Sequence, residues 1–224
     1  MYKNIILILI SIFILYFSIE DFGYMFLSIP TFLILSYNLS DLFLKIVNSK
    51  EKENKKEKNF EFISMIGVVS ILFVIRDFEQ TIGGYILFWK LSYLSLTFSI
   101  LCVFILNSFY NFRNEKRFYN ILSISICFFL LIPNIGIFIN KHISTEKERI
   151  QEIKINYKKI NPQARGNDSY EIFLLTEYDK NERLDIKKEF YETITDDQIV
   201  ALTLSKGILG YNYVKNIEKI DSRK

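Results

Sequence analysis

The sequence is poor in the side chains that carry most enzyme chemistry. Its 224 residues include one histidine, His142, and two cysteines, Cys102 and Cys127, both inside apolar runs. These numbers argue against a Cys-based metal site and against a disulfide framework. The sequence also lacks the HExxH, GxSxG and phosphate-loop motifs, and catalysis needs several convergent groups with shifted pKa values. We therefore predict that the protein is not an enzyme and that it uses no cofactor or metal.

Charge is scarce in the first 139 residues. Residues 140–224 hold 16 of the 28 Lys and Arg residues and 15 of the 25 Asp and Glu residues, whereas long Ile, Leu and Phe runs fill the part before them. Such segregation is typical of a chain whose two parts lie in different solvents. We predict a membrane α-helical bundle in residues 1–139, followed by a small, mainly β (α+β) extramembrane domain in residues 140–224. Because the basic residues flank apolar runs and form no aromatic-interleaved patch, we expect no nucleic-acid partner.

Five apolar segments are candidates to cross the lipid bilayer as helices. A helix needs about 20 apolar residues to cross about 30 Å of hydrocarbon. The predicted spans are residues 4–19, 24–44, 60–75, 86–106 and 121–139. The first and third are 16 residues long, so we expect flanking residues or local bilayer thinning to complete them. No small-residue cleavage site follows the first segment, which favours an uncleaved anchor over a cleaved signal peptide.

The distribution of Lys and Arg predicts the orientation, because short loops rich in these residues stay in the cytoplasm. The basic groups on one side of the predicted spans are Lys3, six lysines in residues 45–58, and Arg113, Lys116 and Arg117. The other two loops carry mainly acids, Glu20 and Asp21 in the first and Asp77 and Glu79 beside Arg76 in the second. We predict a multi-pass protein of the bacterial plasma membrane with a cytoplasmic N-terminus and the C-terminal domain outside. The high Ile, Lys and Asn usage is typical of AT-rich bacterial genomes.

Two ionisable residues fall inside the predicted spans, where such groups are costly and often functional. Asp41 precedes Lys45 by four residues, the favourable order for an ion pair on one helix. Lys90 lies near the outer end of its span, where its ammonium can reach water. Asp41 and Lys90 are therefore candidates both for plain interfacial roles and for an ion pathway.

Two prolines and an aromatic cluster mark the outer halves of the spans. Pro30 and Pro133 are each expected to kink a helix and free a carbonyl group, which Asn134 is placed to bond. Paired kinks at one depth would open a cavity in the outer leaflet. Trp89, with Tyr85 and Tyr93, is typical of an interfacial aromatic belt.

The apolar period changes from helical to two after residue 150, which indicates strands. The predicted strands contain Ile153 to Tyr157, Tyr170 to Tyr178, Leu184 to Ile186, Gln198 to Ser205 and Tyr211 to Ile217, with a short helix between residues 186 and 194. The second of these is apolar on both faces and so predicts a central strand. Thr145 and Glu148 predict the capping box of a short connecting helix. The whole favours a twisted antiparallel sheet or partial barrel of four or five strands and one helix.

One stretch of this domain resembles a known arrangement. Its residues are Asp197, Val200, Leu202, Leu204, Lys206, Gly207, Leu209, Gly210 and Tyr213. This stretch is similar to the closing hairpin of a small β domain found at the end of many uncharacterised bacterial multi-pass membrane proteins. The resemblance covers about 20 residues and consists of a strand, a glycine-dependent turn and a second strand. It implies a shared architecture and no activity.

Three functional hypotheses follow. In the first, the protein binds a protein, envelope or lipid partner through residues 140–224, and the acids Glu20, Asp21, Asp77 and Glu79 form a rim on which Lys187, Lys188 or other domain cations rest. In the second, it is a subunit of a small transporter or channel that acts as a homo-oligomer, with Lys90 and the two prolines in its pathway. In the third, it is an immunity-type protein that protects against a membrane-active toxin.

Overall fold

The computed structural model describes residues 2–19, 24–47, 59–110, 112, 116–162, 168–179 and 181–220. Five helices come first: α1 (Tyr2–Ser18), α2 (Met25–Val47), α3 (Ser64–Glu79), α4 (Gly84–Phe109) and α5 (Arg117–His142). Each predicted span overlaps one of them. Among the described residues, α2, α4 and α5 are long and apolar enough to cross a membrane by length and composition, whereas α1 is a shorter apolar helix. Glu20 and Asp21 lie outside the described residues.

The chain forms two compact units, which differ from the predicted division at residue 139. The helical unit comprises residues 1–73 and 88–134, and the sheet unit comprises residues 74–87 and 135–224. The sheet unit therefore contains the connection between α3 and α4 and the last turns of α5, as well as the C-terminal strands. It is discontinuous in sequence.

Small polar side chains link the helices of the helical unit, and α5 supplies most of them. Ser125 bonds Ser36 of α2 at 2.8 Å and Ser99 of α4 at 3.1 Å. Asn134 donates to Ser70 of α3 at 2.7 Å. Interhelical bonds of this kind are typical of helices that cannot rely on the hydrophobic effect to associate.

Close approach of α3 to α5 depends on Gly67. A Cβ at this position would lie 2.9 Å from the carbonyl oxygen of Cys127, so only a hydrogen atom fits between the two backbones. Trp89 also belongs to the packed interior. It is 2% exposed and lies 5.9 Å, ring to ring, from both Phe32 and Phe129, so its predicted place in an aromatic belt is wrong.

The C-terminal strands form one antiparallel sheet in the order β3-β2-β1-β4-β5. Its elements are β1 (Arg149–Asn161), β2 (Ser169–Leu174), β3 (Glu182–Ile186), α6 (Lys188–Thr193), β4 (Ile199–Lys206) and β5 (Asn212–Lys219). The first half of β1 pairs with β4 and its second half pairs with β2. The prediction of an antiparallel sheet of four or five strands with one short helix is confirmed, and the described residues form five strands.

The sheet has one buried face. Val200, Leu202 and Leu204 alternate along β4 and are buried together with Ile155 and Ile172 of the neighbouring strands. A period of two places these side chains on the same side of the sheet.

Two local predictions for this region are wrong. β2 ends at Leu174, and Leu175 is 57% exposed, so the apolar run Ile172 to Leu175 does not make β2 the central strand. That place belongs to β1. The predicted connecting helix does not form between α5 and β1, because the N–H of Thr145 donates to the carbonyl of Lys206 at 2.9 Å and Glu148 pairs with Lys215 instead of capping.

Candidate functional site

The connection between α3 and α4 adds to the free edge of β5. The N–H of Val214 donates to the carbonyl of Gln80, and the N–H of Ile82 donates to the carbonyl of Asn212, both at 2.9 Å. Thr81 forms an antiparallel bridge with Tyr213. The side chain of Ile82 is buried in the core of the sheet. Residues 80–82 thus act as a short additional strand.

The same connection contacts β3, at the other end of the strand order. The N–H of Gly83 donates to Oε1 of Glu182 at 3.1 Å. Arg183 pairs with Glu79 at 3.0 Å and with the buried carboxylate of Glu171 at 3.3 Å. Because β3 and β5 are the two edges, one short turn can reach both only if the sheet curls. We call residues 79–83 the bridging turn.

The end of α5 is fixed to the turn between β4 and β5. Asn140 is fully buried; its amide donates to the carbonyl of Tyr211 at 3.1 Å and accepts from the N–H of Leu209 at 3.0 Å. The N–H of Ile208 donates to the carbonyl of Ile143 at 2.9 Å. Gly207 leaves room for this contact, since a Cβ there would overlap the carbonyl oxygen of Asn140.

An ion pair connects the two helix ends of the sheet unit. Lys141 of α5 pairs with Asp77 of α3, and its ammonium lies 4.9 Å from the centre of the Tyr213 ring. The Tyr213 hydroxyl donates to Gln80 at 2.6 Å. Asp77 and Glu79 are therefore both paired with cations of the C-terminal part of the chain, namely Lys141 and Arg183.

The two lysines named for the predicted rim do not pair with its acids, whereas other domain cations, which the prediction allowed, do. Lys188 lies 3.9 Å from Glu192 on its own helix, and Lys187 makes no ion pair among the described residues. Arg183 takes the predicted role because it lies on an edge strand. No sequence pattern distinguishes Arg183 from its neighbours. Ile82, by contrast, is an apolar residue in a short polar loop, and this is a signal that the loop is buried against another part of the chain.

Among the described acids outside the helices, Glu182 has the pKa that departs most from its ordinary value. Burial, and to a lesser degree the charge of Asp179, raise its pKa to about 7, while the bonds from Gly83 and Thr176 oppose the shift. Gly83 adopts a φ of 74°, which favours glycine, and a Cβ there would touch the ring of Tyr178. The carboxylate that receives the bridging turn is thus half protonated near neutral pH.

A second polar site lies in the helical unit around Asp41, which is 4% exposed. Its carboxylate lies 2.6 Å from Lys45, 2.5 Å from Arg117 and 2.7 Å from the amide of Asn4. The predicted pair with Lys45 is present. Asn4 and Arg117 were missed because they belong to other helices. Within the described part of the chain, Nε of Arg117 and the hydroxyl of Ser40 are buried without a hydrogen-bond partner.

The other candidates in the helices do not join this site. Lys90 is exposed on α4, and Pro30 and Pro133 lie inside α2 and α5. The Asn134 amide bonds Ser70 on α3, so the prediction that it bonds a carbonyl freed by Pro133 is wrong.

The two polar sites contain paired charges rather than ligand sets. Across the described residues, no group of three or more His, Cys, Asp or Glu side chains is placed to hold a metal ion. No family model, no curated protein and no solved structure matches this chain.

Proposed function

We propose that the protein is a five-span integral membrane protein that holds a small β domain in a fixed position outside the plasma membrane, where the domain binds a partner. Membrane insertion is supported by the apolar surfaces of the helices. On α3, Leu72, Phe73 and Ile75 are exposed, and on α1 Phe13 and Tyr16 are exposed. Such a surface is stable in hydrocarbon and unstable in water.

The proposed orientation is supported by which helix ends share contacts. Asn4 at the start of α1, Asp41 near the end of α2 and Arg117 at the start of α5 meet around one carboxylate, so these ends belong to one side of the bundle. The basic loops of the sequence adjoin these same ends. We infer that this side is cytoplasmic, and that the end of α5, which continues into the sheet, is outside.

The bridging turn is the observation that carries the functional proposal. Its backbone bonds both edge strands, and Glu79 adds an ion pair to Arg183. A domain that needed only to be tethered would be joined by one flexible linker. Attachment at α3, α4 and α5 together fixes the domain's direction relative to those helix ends, which matters when a partner also lies at the membrane surface. This fixed attachment favours an interaction protein.

Sidedness is tested with single cysteines in a background in which Cys102 and Cys127 are replaced by Ala. A membrane-impermeant maleimide should label Ile208→Cys in intact cells. It should label Lys116→Cys only after permeabilisation. The opposite pattern would overturn the orientation, and recovery of the full-length protein in the supernatant after carbonate extraction would overturn membrane insertion.

The interaction role is tested by cross-linking in intact cells followed by purification under denaturing conditions. We expect one partner to be recovered with the wild-type protein and lost when residues 140–224 are deleted. The same partner should be lost, at equal membrane abundance, when Gln80 to Gly83 are replaced by a Gly-Ser linker of equal length. Retention of the partner by both variants would contradict the proposal.

A transporter subunit is the second candidate, and the buried carboxylate of Asp41 favours it. Its two cations and the unpaired Nε of Arg117 make a polar site inside an apolar bundle, which is often functional. If the protein is a transporter subunit, Asp41→Asn and Lys90→Leu should both reduce solute flux in proteoliposomes. Unchanged flux in both variants would exclude the transporter hypothesis.

A further inference from the structure

A groove of about 590 Å³ lies beside the bridging turn, in the gap between β3 and β5. The turn fills one end of this gap, from Asn212 and Val214 on β5 to Glu182 on β3. Beyond it, the gap is open. Within the described residues, β3 pairs only with β2 on its inner side, and the part of β5 after Val214 pairs only with β4. Residues 184–186 of β3 and 214–217 of β5 therefore line an unfilled space.

The groove is apolar at its base. Leu184 of β3 is buried there, and Ile186, Phe190 and Ile217 are partly buried against the same core. Side chains of alternate residues in an extended peptide would reach such positions, because successive residues of a strand point to opposite faces.

The charged residues of the groove leave a cationic excess. Arg76, Lys187 and Lys215 line it together with Glu79 and Asp185. Glu79 is paired with Arg183, and Lys215 is paired with Glu148. Arg76 and Lys187 make no ion pair with any described residue, and Asp185 accepts a bond from Ser169. Two cations thus face one acid, which favours an occupant with an acidic side chain.

We propose that this groove binds an extended, acidic peptide segment of a partner protein, which adds as a strand between β5 and β3 and continues the strand that residues 80–82 begin. The bridging turn supplies the precedent, because it already pairs with the backbone of β5 and donates the N–H of Gly83 to the Glu182 side chain on β3. Strand addition obtains affinity from the main chain and specificity from side-chain pockets. The proposal rests on the proposed function and identifies the binding surface of the domain.

The test uses the full-length protein in nanodiscs of zwitterionic lipid and a phage-displayed library of random octapeptides. Phage are selected on the wild-type protein after depletion on the Lys187→Glu variant. We expect enriched sequences with alternating apolar residues, at least one Asp or Glu, and no central proline. Failure to enrich any sequence over the Lys187→Glu protein, or enrichment of proline-rich or basic sequences, would overturn the proposal.

The enriched peptide is then synthesised, and its affinity is measured by fluorescence anisotropy. Reversal of a charge that faces the peptide's acid should weaken binding by about tenfold or more. Lys187→Glu should show this loss, whereas the matched control Lys188→Glu, whose lysine does not line the groove, should change affinity less than about twofold. A peptide N-methylated at alternate residues should not bind. Equal binding of the methylated peptide, or equal loss in both lysine variants, would exclude strand addition in the groove.

Hydrogen exchange locates the occupant. Bound peptide should protect amides of residues 183–186 and 215–217, and protection elsewhere would contradict the proposal. Protection of these amides in phosphatidylglycerol nanodiscs without peptide would identify a lipid as the occupant of the groove. Protection that rises with protein concentration would identify a second copy of the chain as the occupant. Either result would overturn the proposal of a peptide. Cysteine labelling separates the two proposals, since reversed labelling with intact peptide binding would refute only the orientation.

Discussion

Substitution of Gly207 by Ala should detach the end of α5 from the sheet. The added Cβ would overlap the carbonyl oxygen of Asn140, and neither backbone can yield by rotating a side chain. Moving α5 away removes the two bonds of the Asn140 amide and the bond between Ile208 and Ile143. At about 1 kcal/mol for each hydrogen bond, the loss is about 3 kcal/mol, and the remaining overlap adds roughly 1–3 kcal/mol.

Gly210→Ala is the matched control, because it lies in the same turn. Its φ is 85°, so an alanine is strained there, yet a Cβ would meet nothing within 4 Å. We expect a cost of about 1 kcal/mol from backbone strain alone.

The measurement is hydrogen exchange of the full-length protein in detergent. In the Gly207→Ala protein, the amides of Ile208 and Leu209 should exchange about 100-fold faster or more, since 1.4 kcal/mol corresponds to about tenfold. In the Gly210→Ala protein they should exchange no more than about tenfold faster. Equal effects of the two substitutions would refute the argument, because strain at a turn would then explain both.

Three further predictions concern packing, charge and pH. Gly67→Ala should lower the free energy of unfolding of the helical unit by about 1–3 kcal/mol, because its Cβ would press on the Cys127 backbone. Thermal unfolding in detergent measures this change, and an unchanged midpoint would contradict the packing of α3 against α5. Arg183→Met should lower the free energy of unfolding of the sheet unit by about 3 kcal/mol, because it leaves the buried carboxylate of Glu171 without its cation. The control Lys188→Met should change that free energy by less than about 0.5 kcal/mol. Equal effects of the two substitutions on hydrogen exchange would refute this prediction. Because the pKa of Glu182 is raised to about 7 from 4.5, the folded state holds a proton that the unfolded state releases, and stability falls as pH rises from about 4.5 to 7. Glu182→Gln should therefore be more stable than the wild type at pH 8, by up to about 3 kcal/mol, and similar to it at pH 4; a variant that is less stable at pH 8 would contradict this.

The features that could be predicted from the sequence depend on the apolar periodicity and the residue spacing within a single strand or helix. A period of two predicted the strand from Gln198 to Ser205, whose residues Val200, Leu202 and Leu204 are buried, and four-residue spacing paired Asp41 with Lys45. Both inferences need only the geometry of one element. The apolar run from Ile172 to Leu175 misled, because a run of apolar residues does not say which neighbours cover the strand.

Contacts between distant parts of the chain could not be predicted in the same way. Arg117 joins Asp41 across 76 residues, and Gly83 meets Glu182 across 99. Trp89 was placed in an aromatic belt by its position near a helix end, whereas its ring packs inside the bundle. In each case the tertiary arrangement decides which helix face is covered, and that arrangement is not encoded in local spacing.

The bridging turn makes the folding of the sheet depend on the helices. Ile82 belongs to the core of the sheet, yet two complete helices, α4 and α5, separate it from the first strand. In residues 143–224 alone, the space that Ile82 fills in the core would be empty and the outer edge of β5 would be unpaired. Glu182 would also lose the hydrogen bond from Gly83. An unpaired edge beside an apolar socket is a site for aggregation. The C-terminal part is therefore expected to complete its fold only after α3 and α4 are in place.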